Sequence, residues 1–155
     1  MRKIQFDGCA FPNPGNMGIG VVLIENGNII TTISKKLPGK GTNNIAEYTA
    51  LLTGILKALD LGWKEISVEG DSKLVINQVN GIWSIKKEHL IDLYNQVVKE
   101  LSNFDSYTIN WTPRENNSIA DKLATKALGY EEDPYSAINK SYKINNGNNV
   151  NKGEK

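Results

Sequence analysis

Apolar and polar residues alternate from Ile4 to Asp7 and, less strictly, from Ile19 to Ile24, while Ile29 to Lys35 is rich in Ile and Thr; all three segments are predicted strands. The Asn26-Gly27 pair favours a tight hairpin between the second and third, and Pro12-Asn13-Pro14-Gly15-Asn16 reads as the turn between the first two. An antiparallel meander follows. From Ala46 to Leu61 the period changes: Tyr48, Leu51, Leu52, Ile55, Leu56 and Leu59 recur at helical spacing. That predicts an amphipathic helix with a broad buried face, capped by Thr42, Asn43 or Asn44 and ended at Gly62.

Glu65 to Val68 is a short strand after that helix, and strand, helix, strand suggests a right-handed crossover into a parallel neighbour of an earlier strand. Ser72 to Val79 and Glu88 to Leu101 carry helical patterns, Tyr107 to Trp111 forms the last strand, and Ser118 caps a final helix running to Leu128 before Gly129. The predicted class is α/β with a mixed sheet. After Gly129 the patterning stops. Residues 131–155 are dominated by Asn, Lys, Ser, Gly and acids, too little apolar surface to offset the entropy of ordering. One domain over residues 1–130 and a polar, mobile tail over 131–155 are therefore expected.

Composition narrows the chemistry more than the fold. The chain has one cysteine, Cys9, and one histidine, His89, which excludes an internal disulfide and argues against a cysteine-built zinc site and histidine-based triads. His89, in a helix after Lys86 and Lys87, is read as structural. No apolar run approaches the length of a bilayer span, and Met1-Arg2-Lys3-Ile4-Gln5 enters a strand directly, so a cytoplasmic location and no membrane partner are the default expectation. A net charge of +1 gives no prior for nucleic acid, and a solvated surface explains short clusters such as Lys35, Lys36 and Lys40. Whatever chemistry exists must run on carboxylates.

Four acids stand at predicted element boundaries: Asp7, Glu47, Asp71 and Asp121. Each has an ordinary explanation. Asp7 could be a strand-end acid bonded to backbone N–H groups, Asp71 a helix cap, and Glu47 and Asp121 acids in first helical turns, favoured by the dipole. Their joint arrangement has another. If the first and fourth strands are parallel neighbours, Asp7 and Asp71 lie side by side, and like charges so placed repel unless a cation sits between them. Oxygen-only ligands select a hard ion, Mg²⁺ or its substitute Mn²⁺. Two such ions about 4 Å apart stabilise both the attacking and the leaving oxygen of a phosphodiester.

The successive segments Phe6-Asp7-Gly8, Asn13-Pro14-Gly15 with Gly18-Ile19-Gly20, Thr42-Asn43-Asn44-Ile45-Ala46-Glu47, Gly70-Asp71-Ser72 and Asn117-Ser118-Ile119-Ala120-Asp121-Lys122-Leu123-Ala124 resemble the motifs of type 1 ribonuclease H, in order, over about residues 1–130. The resemblance implies a five-stranded sheet in order 3-2-1-4-5. It also implies endonucleolytic cleavage of the RNA strand of RNA/DNA hybrids, leaving 5′-phosphate and 3′-hydroxyl ends, by a monomer. Carried over by position, Asp7 would bridge both metals, Glu47 and Asp71 would hold the metal near the attacking water, and Asp121 the one near the leaving group. Asn13, Asn43 and Asn44 match substrate-contacting positions, where amides can read base edges and the 2′-hydroxyl that separates RNA from DNA. Thr42 matches a position that helps hold a DNA phosphate.

The chain departs from the family pattern in three places. Lys73 stands where many relatives carry glutamine, which favours a phosphate over a base-edge contact. The basic helical protrusion is absent, since Gly81-Ile82-Trp83-Ser84-Ile85-Lys86-Lys87 leads straight into the next helix. The loop before the last acid offers Arg114 and Glu115 instead of a histidine. Arg114 either steers the scissile phosphate or is a surface arginine, and Trp83 either offers a flat face to a DNA sugar or base or packs on a helix. The second class of function is a noncatalytic domain that binds hybrids or double-stranded RNA on the same fold.

Overall fold

A computed structural model describes residues 1–131 and Pro134; the expected tail lies otherwise outside the described residues. Strands β1 (Arg2–Phe11), β2 (Gly15–Glu25) and β3 (Asn28–Gly41) form the meander, and helix α1 (Asn43–Asp60) leads to β4 (Glu65–Gly70). Helices α2 (Lys73–Val79) and α3 (Glu88–Leu101), β5 (Ser106–Trp111), a 3-10 turn (Arg114–Asn117) and α4 (Ser118–Ala127) complete it. The five strands form one mixed sheet in the order β3-β2-β1-β4-β5, with β4 parallel to both β1 and β5, as the resemblance implied. No described helix is long and apolar enough to cross a membrane.

Several boundaries differ from the sequence reading, and four of them bear on the site. Strand β1 does not end at Asp7: it continues paired with β2 as far as Phe11, whereas on its β4 side pairing stops at Phe6–Gly70. Asp7 therefore sits at a fork. Helix α1 starts at Asn43, capped by the Thr42 hydroxyl accepting from Ile45 N–H at 3.3 Å, so Glu47 falls in the second turn and not in the first. The dipole does not account for it. Helix α2 is capped by Ser72, whose hydroxyl accepts from Val75 N–H at 3.2 Å; Asp71 is left over. At α4 Ser118 is the first helical residue and Asn117 occupies the cap position.

Helix α1 buries more than the stripe of large residues. Ala46, Ala50, Gly54 and Ala58 recur every fourth residue and are buried, while Leu56 is 46% exposed. The small stripe faces the sheet: a Cβ on Gly54 would lie 2.8 Å from Ile4 and 3.1 Å from Val21 side-chain atoms. Helix α4 covers the opposite face of β2 by the same device, since a Cβ on Gly20 would be 2.1 Å from the Ala120 carbonyl oxygen. Close backbone approach on both faces carries α1 and α4 to the same strand ends.

Candidate active site

The fork opens where the parallel pairing of β1 and β4 stops, past the carboxyl end of β4, and the carboxyl side of parallel strands is where α/β sheets place their ligands. Asp7 enters it from β1, Asp71 is the first residue beyond β4, and Glu47 reaches in from α1. Each of the three offers a carboxylate oxygen within 4.8 Å of the other two. Glu47 owes its position to Gly8. A Cβ there would lie 2.2 Å from the Ala46 carbonyl carbon and 2.5 Å from the Glu47 nitrogen, so only glycine lets α1 come this close. Where β4 has ended, β1 has backbone donors to satisfy, and α1 supplies acceptors: Gly8 N–H donates to Glu47 Oε1 at 3.1 Å and Ala10 N–H to Asn43 Oδ1 at 2.7 Å.

Asp121, in the first turn of α4, faces Asp7 from the other side of the sheet. Burial pushes the Asp7 carboxyl well above the usual carboxylate range, and the charges of Glu47, Asp71 and Asp121 push it further, with Asp121 close enough to share a hydrogen bond. Arg114 Nη2 lies 3.4 Å from Asp121 Oδ2 and offsets part of that charge. Two buried amides that sequence reasoning gave no role hold this side in place. Asn117, fully buried, donates to the Phe6 carbonyl at 2.9 Å, and Gln5 donates to the Asn116 carbonyl at 3.2 Å. The signal for Gln5 was its period-two relation to Asp7, which puts both on one face of β1.

The raised Asp7 pKa makes a stability prediction. The folded, metal-free protein keeps this proton at pH values where the unfolded chain has released it, so the folded state binds more protons and stability falls as pH rises from about 4 upward. Thermal melts in chelator at about pH 5 and about pH 8 should show the loss, and Asp7→Asn should remove that slope. At neutral pH the variant should be the more stable by on the order of 1–3 kcal/mol, the scale for an uncompensated buried polar group. Equal pH slopes for parent and variant would contradict the assignment.

The residues expected to contact substrate are held in different ways. Asn13 Oδ1 accepts from Asn43 N–H at 3.0 Å, so the amide oxygens of both Asn13 and Asn43 hold backbone. Their NH₂ groups make no hydrogen bond among the described residues and remain donors. Thr42 caps α1, and Asn44 is exposed. Lys73 stands with its ammonium 4.8 Å from the Trp111 ring centroid, and the Trp111 indole donates to the Asp71 carbonyl at 3.3 Å, a link the sequence did not suggest. Trp83, 46% exposed, lies in the loop between α2 and α3, and His89 is exposed near the start of α3.

The family model described as reverse transcriptase-like matches residues 5–127. A bifunctional protein of Mycobacterium tuberculosis is 40% identical over 126 residues; the match takes in 81% of this chain and 35% of that protein, so the chain spans about a third of this relative's length. Among solved structures, ribonuclease H1 of the halophilic archaeon Halobacterium salinarum superposes with a TM-score of 0.80 at 36% identity, covering 83% of this chain and 97% of the other. A ribonuclease H1 solved in complex with an RNA/DNA hybrid superposes with a TM-score of 0.78 at 31% identity, covering 83% and 97% of the two chains.

Proposed function

The chain belongs to the type 1 ribonuclease H family, and from that premise we propose that it is an endoribonuclease that hydrolyses the RNA strand of RNA/DNA hybrids, leaving 5′-phosphate and 3′-hydroxyl ends. The observation that carries this reading is the carboxylate cluster at the fork, with Asp7 buried among three other acids. Three carboxylate oxygens within 4.8 Å are a poor arrangement for a protein alone and a good one for a hard divalent cation. Asp7, Glu47, Asp71 and Asp121 would hold two Mg²⁺ ions, with Mn²⁺ as a substitute. When bound, such ions supply Lewis-acid stabilisation to the attacking and departing oxygens of the phosphodiester.

The chain's own residues then divide the work. Strand pairing on one side and the Gly8 N–H on the other fix Asp7 and Glu47 before substrate arrives, so little reorganisation is needed at the moment of reaction. Asn13, Asn43 and Asn44 offer amides to RNA base edges and 2′-hydroxyls, and Thr42 and Lys73 stand where the sugar-phosphate backbone would pass. Lys73, resting on Trp111, supplies a point charge to a phosphate without fixing a base. Trp83 offers its exposed face to the DNA strand, and Arg114, already beside Asp121, steers the phosphate on the leaving side. A monomer acting in the cytoplasm completes the reading.

A direct assay tests it. Purified protein should cut the RNA of a labelled hybrid with Mg²⁺ or Mn²⁺, stop with chelator, and leave RNA/RNA and DNA/DNA duplexes much less affected. Asp71→Asn should be nearly inactive. Salt-sensitive binding of the hybrid with no cleavage at any metal concentration would instead identify a binding domain.

A further inference from the structure

Helix α2 is short, and the chain turns at Gly81, whose φ of +78° suits glycine. The loop then folds back over the helix: Ile82 N–H and Trp83 N–H both donate to the Asn77 carbonyl, at 2.8 and 3.1 Å. On the next helical position stands Gln78, 4% exposed, an amide where the surrounding pattern calls for an apolar side chain. Both ends of that amide are used. Its oxygen accepts from the Tyr48 hydroxyl at 2.6 Å, and its nitrogen donates to the Ser84 carbonyl at 3.4 Å.

Tyr48 adjoins Glu47 on α1 and is fully buried. A phenol is protonated at neutral pH, so the Tyr48 hydroxyl is the donor in its bond to Gln78. Trp83 is thus held from two sides, through its own N–H and through the carbonyl of the residue that follows. It lines a groove of about 600 Å³ together with Asn44, Leu74, Lys86 and Lys87. Asn44, three residues before Glu47 on α1, belongs both to this groove and to the expected substrate contacts, and the two lysines of the groove suit a phosphate backbone.

We propose, on the hybrid-nuclease reading, that Gln78 is a positioning residue for substrate binding: by bridging Tyr48 to the Ser84 carbonyl it fixes the loop that presents Trp83 to the DNA strand. A leucine at 78 would fill the core equally well. What the amide adds is a fixed backbone on one side of an exposed aromatic ring that contributes little to the core.

The test is a double-mutant cycle on cleavage of a hybrid of about 20 base pairs, with Gln78→Met and Trp83→Ala singly and together. Gln78→Met should raise KM roughly tenfold, the scale of one base–aromatic stacking contact, with kcat within about twofold of the parent. Trp83→Ala should do the same, and the double variant should be no worse than Trp83→Ala alone. A purely structural Gln78 would lower the melting temperature and leave KM unchanged, which overturns the proposal. So does a Gln78→Met penalty that is as large in the Trp83→Ala background as in the parent. Should Gln78→Met fold poorly because the Tyr48 hydroxyl is orphaned, Tyr48→Phe/Gln78→Met removes that hydroxyl and is held to the same outcomes. Absence of cleavage by the parent would refute the nuclease reading; the equilibrium affinity ratio of parent to Gln78→Met for the same hybrid then decides the Gln78 proposal separately.

Discussion

Asp7→Asn is expected to slow cleavage of a hybrid by at least about 10³-fold, equivalent to about 4 kcal/mol of transition-state stabilisation, while the protein stays folded. Asparagine keeps the shape of the side chain and removes the charge, and Asp7 is the acid of the cluster that lies buried at the centre of the other three. Single-turnover rates with Mg²⁺ on parent and variant would measure it. Loss of activity together with gain of metal-free stability is the combination that separates a metal-holding acid from a core residue, since a core substitution lowers both. Cleavage within tenfold of the parent would mean that the carboxylates gather for some other reason.

Gly8→Ala should be nearly as damaging, although the substitution adds a single methyl group. Its Cβ would meet backbone atoms of Ala46 and Glu47 at 2.2 to 2.5 Å, and backbone cannot swing aside as a flexible side chain can. Strand β1 and helix α1 must separate by about an ångström, stretching the Gly8 N–H bond to Glu47 and shifting one carboxylate relative to the others. A destabilisation of about 3 kcal/mol is expected, at the upper end for overpacking, with a fall in kcat of about 100-fold, the scale of a 1 Å misplacement. Gly27→Ala serves as control. That glycine lies in the β2–β3 turn with φ of +84° and nothing within 4 Å of a Cβ, so a strain of about 1 kcal/mol and unchanged kcat should result. Chemical denaturation and steady-state kinetics on both variants would show whether the two effects separate.

Element type and order were legible along the chain because they are set by local periodicity. The period of two in β1, the Asn-Gly turn after β2 and the helical spacing of α1 and α3 each act within a few residues. The sheet order came from the resemblance, and pairing bears it out. Several details that build the site were not legible. The buried stripe Ala46, Ala50, Gly54 and Ala58 is faint in a pattern weighted by large apolar residues, yet it lets α1 lie flat on the sheet. Ser72 and Asp71 are both good caps, and nothing local chooses between them; packing of α2 gives the cap to Ser72 and releases Asp71 toward the fork. Gln5, Gln78 and Asn117 read as ordinary polar residues until the Asn116 carbonyl, the Tyr48 hydroxyl and the Phe6 carbonyl, all distant from them in sequence, are brought alongside.

What the sequence determined by itself was which elements form and which four acids are available, because propensity, patterning and residue chemistry are properties of short segments. What only the tertiary structure decided was that pairing between β1 and β4 stops one residue before Asp7, leaving β1 donors for α1 to satisfy, and that α1 and α4 approach this point from opposite faces. The physical reason is that strand pairing and glycine-permitted backbone contact act between residues far apart in the chain. They set distances of a few ångströms, and at that range charge repulsion among carboxylates, and hence their need for a cation, is decided.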